Sequence, residues 1–124
     1  MYKAKVISYF SAAHFLRNYK GKCEKLHGHN WKVEVVLSKK SLNKTGMVMD
    51  FNEIKKILNE VLKDLDHKCL NELDYFKKKN PSSEEIACYI WLNLRKSIKY
   101  PSWLEEVRVW ETENSCAIFS QKKG

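Results

Sequence analysis

Apolar and polar residues alternate along three stretches of this chain, and between the second and third stretches the period lengthens to that of a helix. Tyr2, Ala4, Val6, Phe10, Ala12 and His14 share one parity, interrupted by Ser8, and predict a strand over residues 2–14. His27, His29, Trp31, Val33, Val35 and Leu37 share the next face. Asn30, Lys32, Glu34 and Ser38 oppose them, with Val36 the exception, so residues 27–38 read as a half-buried strand. A polar loop then ends at Gly46, followed by Met47-Val48-Met49. Asp50 with Glu53 three residues on has the form of a capping box. Phe51, Ile54, Leu58, Val61, Leu62 and Leu65 follow at helical spacing, and the helix should fade near Asp64 to Asp66. Residues 67–80 read as a loop carrying the exposed Lys77-Lys78-Lys79-Asn80. Pro81-Ser82-Ser83-Glu84-Glu85 starts a second helix, whose apolar face is Ile86, Ile90, Leu94 and Ile98 with Ala87, Trp91 and Leu92. Lys96 and Lys99 complement its C-terminal dipole and Pro101 stops it. Over residues 105–113, Val107, Val109 and Glu111 face one way and Arg108, Trp110 and Thr112 the other. Asn114-Ser115 reads as a turn, and Cys116 to Ser120 as the returning strand.

The order is therefore ββααββ. Two hairpins and two helices imply an α+β domain over residues 1–124: an antiparallel sheet with both helices on one face. No internal linker or repeat interrupts it. The bare face and the sheet edges then need cover, which oligomerisation can supply.

At 124 residues, roughly two thirds of the unfolded chain's surface is buried on folding, so a core forms without a disulfide framework. The four cysteines, Cys23, Cys69, Cys88 and Cys116, are irregularly spaced, and Met1-Tyr2-Lys3-Ala4-Lys5 has no apolar run of a signal peptide. Reduced thiols in a cytoplasmic protein are expected. No stretch approaches the roughly 18 apolar residues of a membrane span. The formal net charge of +8 invites a nucleic-acid reading. However, only three of the 23 Lys and Arg residues are Arg, the residue suited to bidentate phosphate and guanine contacts. The charge reads mainly as a solvated surface, with steering of an anionic ligand as its local use.

The chemistry concentrates in a short segment. His14, His27 and His29 lie within sixteen residues, and the last two share one strand face, where two imidazoles can meet one metal ion. Three histidines with an open position form a catalytic zinc arrangement, whereas structural sites are closed by four ligands. Zinc is preferred because no carboxylate completes an evident iron triad and no methionine stands at a copper-like spacing. Cys23, four residues before His27, has two open roles. It closes the site as a fourth ligand, or it stays off the metal as a thiolate favoured by Lys20, Lys22 and Lys25 and acts as a base. Asp66-His67 pairs a carboxylate with the remaining histidine, an arrangement that fixes a tautomer in catalytic triads. Glu111 faces packed surface and needs a partner there: a structural cation, or a ligand such as an aminopyrimidine ring, whose two adjacent N–H groups match a carboxylate. A strand-end glutamate in solvent is the plain alternative.

Taken together, the segments Phe10-Ser11-Ala12-Ala13-His14, Cys23-x3-His27-Gly28-His29-Asn30, Gly46-Met47-Val48-Met49-Asp50-Phe51, Leu65-Asp66-His67-Lys68-Cys69-Leu70-Asn71, Pro81-Ser82-Ser83-Glu84 and Trp110-Glu111-Thr112 resemble the 6-pyruvoyltetrahydropterin synthase superfamily. The three-residue gap between Cys23 and His27 is similar to its 6-carboxytetrahydropterin synthase branch, which serves queuosine biosynthesis. The resemblance implies the tunnelling fold, with subunits joined into an oligomeric barrel, a homo-hexamer of two trimers, and active sites between subunits. It implies that His14, His27 and His29 hold Zn2+ and that Cys23, Asp66 and His67 are catalytic. It also implies that Glu111, with Ser82 and Ser83, binds the pterin. The implied reaction converts 7,8-dihydroneopterin triphosphate to 6-carboxy-5,6,7,8-tetrahydropterin, acetaldehyde and triphosphate. Lys20, Lys22, Lys25 and Arg17 are candidates for the triphosphate. The competing readings are pyruvoyltetrahydropterin formation, pterin aldol cleavage, and a zinc-stabilised basic module that binds nucleic acid without catalysis.

Overall fold

In the computed structural model, which describes residues 1–121, the alternating stretches form one five-stranded sheet. Strands β1 (Tyr2–His14) and β2 (His27–Lys39) make a long antiparallel hairpin, and β4 (Leu104–Thr112) and β5 (Ser115–Ser120) make a second. β2 pairs antiparallel with β4, and the short β3 (Lys68–Cys69) lies beside β1, so the sheet runs β3-β1-β2-β4-β5. Helices α1 (Phe51–Leu62) and α2 (Ser83–Ser97) pack on one face, α1 against β1 and α2 against β4 and β5. The α+β ββααββ architecture is thus the observed one. Residues 122–124 of the expected 1–124 domain lie outside the described residues. Among the described residues no helix is long and apolar enough to cross a membrane.

The core lies between the sheet and the helices. Phe10, Trp31, Val33, Val35, Leu37, Val107 and Val109 meet Ile54, Leu58, Ile86, Ile90 and Leu94, all nearly or fully buried. Burying each such side chain is worth about 1.5–3 kcal/mol. Ser82 caps α2, its hydroxyl accepting from Glu85 N–H over 3.2 Å. Asp50 caps α1, but its carboxylate accepts from Asn52 N–H at 2.8 Å rather than from Glu53.

Four differences from the sequence reading have physical causes. Residues 67–80 are not a plain loop. They hold the two-residue strand β3 (Lys68–Cys69), parallel to β1, and two 3-10 turns, Leu70–Glu72 and Asp74–Phe76, which bury Leu70 and Phe76. Two residues are too few for an alternation to register. The β4–β5 turn falls at 113–114 rather than at Asn114-Ser115, because Ser115 already pairs with Thr112. Phe51 and Lys99 stand outside their expected roles: Phe51 is exposed at the start of α1, and α2 ends at Ser97, before Lys99. Glu34, expected on a solvated face, is only 3% exposed. It sits on the helix-free face between Lys5 at 2.8 Å and Arg108 at 3.8 Å, and accepts a hydrogen bond from the Trp110 indole. Burial opposes its ionisation, but Lys5, Trp110 and Lys32 outweigh that and hold its carboxyl below the ordinary range.

Candidate metal centre

The β1–β2 register gathers the three histidines. His14 stands opposite His27, and Ala12 opposite His29, so all three imidazoles rise from one end of the sheet on its helix-bearing face. Their ring centroids are 4.6 to 5.3 Å apart. Trp31, fully buried and one alternation further along β2, forms the floor. It stacks on Phe10, presents its edge to His14 and His29, and donates from its indole to the Ala12 carbonyl over 3.2 Å.

A metal needs a lone pair from an imidazole, which must therefore be neutral. His14 Nδ1 lies 2.7 Å from the Pro81 carbonyl and His27 Nδ1 lies 2.8 Å from the Lys25 carbonyl. A carbonyl only accepts, so both Nδ1 atoms carry the proton and both Nε2 atoms present a lone pair. The Nε2 atoms of His14 and His29 are buried and have no hydrogen-bond partner. Burial also holds the His14 imidazole below its ordinary range, favouring the neutral, ligating form. Buried, unpartnered nitrogens converging on one point fit a metal ion.

The fourth member of the group is Glu111, not Cys23. One ligand atom from each of His14, His27, His29 and Glu111 lies within 4.8 Å of the others. Glu111 Oε1 is 2.9 Å from His29 Nε2 and 3.7 Å from His14 Nε2, while Oε2 accepts from the Ser83 hydroxyl at 3.2 Å. In the sequence, no carboxylate completes an evident iron triad with the three histidines. Glu111 arrives instead on β4, on the face of Val107 and Val109. Cys23 is exposed in the β1–β2 connection and stands outside the group.

Asp66 and His67 are close to one another but stand outside this group. Asp66 Oδ2 lies 3.0 Å from His67 Nδ1, and Oδ1 accepts from Ser11 N–H at 2.8 Å. That backbone donor, with His67, holds the Asp66 carboxyl below its ordinary range. His67 takes a left-handed backbone conformation (φ 59°) and donates its own N–H to the Ser11 carbonyl. Its side chain is 82% exposed. It borders a cavity of about 470 Å³ with Ser11, Ala12, Ala13, Gly28, His29, Asn30 and Lys68. Ser11 and Asn30 are cross-strand partners of the parity opposite to His14 and His29, joined by their own 2.7 Å side-chain hydrogen bond on the helix-free face. Within one chain, the Asp66-His67 pair thus borders the same cavity as His29 but supplies no atom to the group of possible ligands.

Ser82, Ser83 and Arg17 make further contacts. Ser82 spends its hydroxyl as the α2 cap. Ser83 lines a cleft of about 210 Å³ with Glu84, Glu111, Ser115, Cys116 and Ala117. The Arg17 guanidinium binds the carbonyls of Phe76 and Lys79, and Asn80 pairs with the Arg17 backbone in both directions. That side chain fastens the loop rather than waiting for an anion. Two supporting residues escaped the sequence reading. The Pro81 carbonyl orients His14, and the buried Asn71 exchanges two 2.9 Å hydrogen bonds with the Phe15 backbone just beyond His14. Both lie in segments that carry the family resemblance, which was the one signal available.

The family model described as 6-pyruvoyl tetrahydropterin synthase matches residues 3–122. An Archaeoglobus fulgidus protein named putative 6-carboxy-5,6,7,8-tetrahydropterin synthase is 44% identical over 109 residues, 87% of this chain and 86% of its own length. A Pyrococcus furiosus dihydroneopterin monophosphate aldolase is 37% identical, covering 88% of this chain and 90% of that one. A Drosophila melanogaster 6-pyruvoyl tetrahydrobiopterin synthase is 40% identical over 96 residues, 74% of this chain but only 57% of its own length. Among solved structures, the Caenorhabditis elegans 6-pyruvoyl tetrahydropterin synthase superposes with a TM-score of 0.87 at 27% identity, covering 98% of this chain and 96% of that one. The chain belongs to the 6-pyruvoyl tetrahydropterin synthase family of enzymes.

Proposed function

We propose that this enzyme converts 7,8-dihydroneopterin triphosphate to 6-carboxy-5,6,7,8-tetrahydropterin, releasing acetaldehyde and triphosphate with uptake of one water, as a step toward queuosine. The observation that carries a metal-assisted reaction is the convergence of buried, unpartnered imidazole nitrogens at one end of the sheet. His14, His27 and His29 would hold zinc, which supplies Lewis-acid polarisation of the substrate's side-chain oxygens when bound. The carboxy branch is favoured by the Cys23-x3-His27 spacing and by the Archaeoglobus relative, matched over 86% of its length.

In this reading Cys23 takes the proton from the side-chain carbon, from an exposed loop free of other duties. Asp66 fixes His67 through Nδ1, leaving Nε2 to move protons. Glu111, steadied by Ser83, accepts the two N–H groups of the aminopyrimidine edge in the adjoining cleft. Because Asp66 and His67 stand outside the metal group within one chain, a complete site in this reading takes the two sets from different subunits. Two open edges support such an assembly: β3 covers only Ala12 and Ala13 of β1, and β5 is paired only with β4. Closing these edges around a ring, and pairing two trimeric rings, gives the proposed homo-hexamer. Membership of an enzyme family sets aside the nucleic-acid-binding module.

The second reading is aldol cleavage, favoured by the Pyrococcus relative. Mass spectrometry of the products decides. Carboxytetrahydropterin with trapped acetaldehyde supports the proposal. A pyruvoyl product without acetaldehyde, or hydroxymethyl-dihydropterin with a two-carbon aldehyde that still carries the triphosphate, overturns it.

A further inference from the structure

Glu111 belongs to two sites at once. Its Oε1 stands 2.9 Å from His29 Nε2 and 3.7 Å from His14 Nε2, while its Oε2 is held by Ser83 at the wall of the 210 Å³ cleft. The 2.9 Å approach falls outside hydrogen-bond geometry and leaves His29 Nε2 without a hydrogen-bond partner among the described residues. The His14 Nε2 nearby presents a lone pair, because its Nδ1 proton goes to Pro81. A carboxylate oxygen against such nitrogens is repulsive unless a cation, either a metal ion or a proton added to an imidazole, lies among them. The contact fits the spacing of atoms around a shared ion.

That duty conflicts with the other one. Accepting two adjacent N–H donors from a planar ring needs both carboxylate oxygens turned to the cleft. Oε1 cannot face the cleft and the imidazoles together. We propose that Glu111 closes the metal site as a fourth ligand while the cleft is empty, and leaves the metal to grip the aminopyrimidine edge when a pterin arrives. The pterin thereby opens the coordination position that its own side chain goes on to use. A metal with four protein ligands is coordinatively closed, so the exchange keeps the ion inert until substrate is in place. Glu111 has the freedom for this, with its side chain 35% exposed. Ser83, at the start of α2, remains its hydrogen-bond partner through Oε2. The inference rests on the pterin reading of the site.

The test uses cobalt(II)-loaded full-length protein and unsubstituted pterin, which has the aminopyrimidine edge but no side-chain oxygens to reach the metal. Visible absorption reports cobalt coordination, and titration calorimetry reports binding separately. Pterin should shift the wild-type cobalt band toward that of the ligand-free Glu111→Ala protein and leave the band of that variant unmoved. Glu111→Ala should also weaken zinc binding by about tenfold or more. Glu111→Gln, which keeps the side chain's size, serves if the alanine variant folds poorly. Binding of pterin without a band shift, or identical ligand-free bands in wild type and variant, overturns the exchange and leaves the pterin reading standing. No binding of pterin overturns both.

Discussion

His14 donates its Nδ1 proton to the carbonyl of Pro81 over 2.7 Å, joining residues 67 positions apart. The end of β1 is thus tied to the start of α2, and the metal-facing nitrogen of His14 is left bare. The same turn carries Ser83, which holds Glu111, so one helix start aligns two members of the candidate metal group.

Metal removal should therefore loosen this end of the molecule. Chelation is expected to lower the melting temperature by roughly 10 °C if the ion was present at about a hundredfold its dissociation constant, a stabilisation of about 2.7 kcal/mol. His27→Ala should melt near the chelated wild type and show no further shift with chelator. Calorimetric scans with and without chelator check this, and an equal chelator response in the variant would count against His27 as a ligand.

Cys23 lies outside the metal group, exposed on its loop. Cys23→Ala should retain one metal per chain and the wild-type melting temperature while turnover falls by about 10²–10⁴, the usual weight of a general base. Metal analysis alongside a product assay checks both halves. Loss of metal in this variant would instead make Cys23 a ligand.

The position of Asp66 and His67 outside the metal group of their own chain, with the site shared between subunits, predicts complementation between subunits. Cys23→Ala and His67→Ala homo-oligomers should each be nearly inactive. Hetero-oligomers formed by co-expression should recover activity, because some sites then combine an intact cysteine with an intact histidine from the neighbour. Activity of purified, differently tagged mixed oligomers is the measurement, and no recovery would place both groups in a single subunit's site.

Glu34 makes stability depend on pH. Its carboxyl is held below the ordinary range in the fold, so the folded state favours the ionised form. The stabilisation is complete above the ordinary glutamate range and is lost as pH falls through the lowered value. Glu34→Gln should cost about 1–3 kcal/mol near neutrality, since Lys5 and Arg108 lose a buried partner. It should also flatten the acid side of the stability profile. Denaturant melts between pH 7 and pH 3 test this, and parallel profiles for the two proteins would remove Glu34 as the source.

Much of this was legible in the order of residues. The alternation of Phe10, Ala12 and His14 against His27, His29 and Trp31 already put the three imidazoles on core-facing positions of neighbouring strands, because side-chain direction in a strand follows from parity alone. The helix starts at Asp50 and Ser82 were legible for a similar reason, since a cap satisfies backbone donors within its own turn. Glu34 shows where such local reasoning stops. Its parity was right, yet its burial came from Lys5, Trp110 and Arg108, which other strands bring to it. Likewise, no spacing rule could bring Glu111 to the histidines in place of Cys23, or keep Asp66 and His67 out of that group. Those outcomes belong to strand order and register, which are set by how distant apolar faces pack into one core. Local sequence chose the side each residue faces, and only the assembled sheet chose its neighbours.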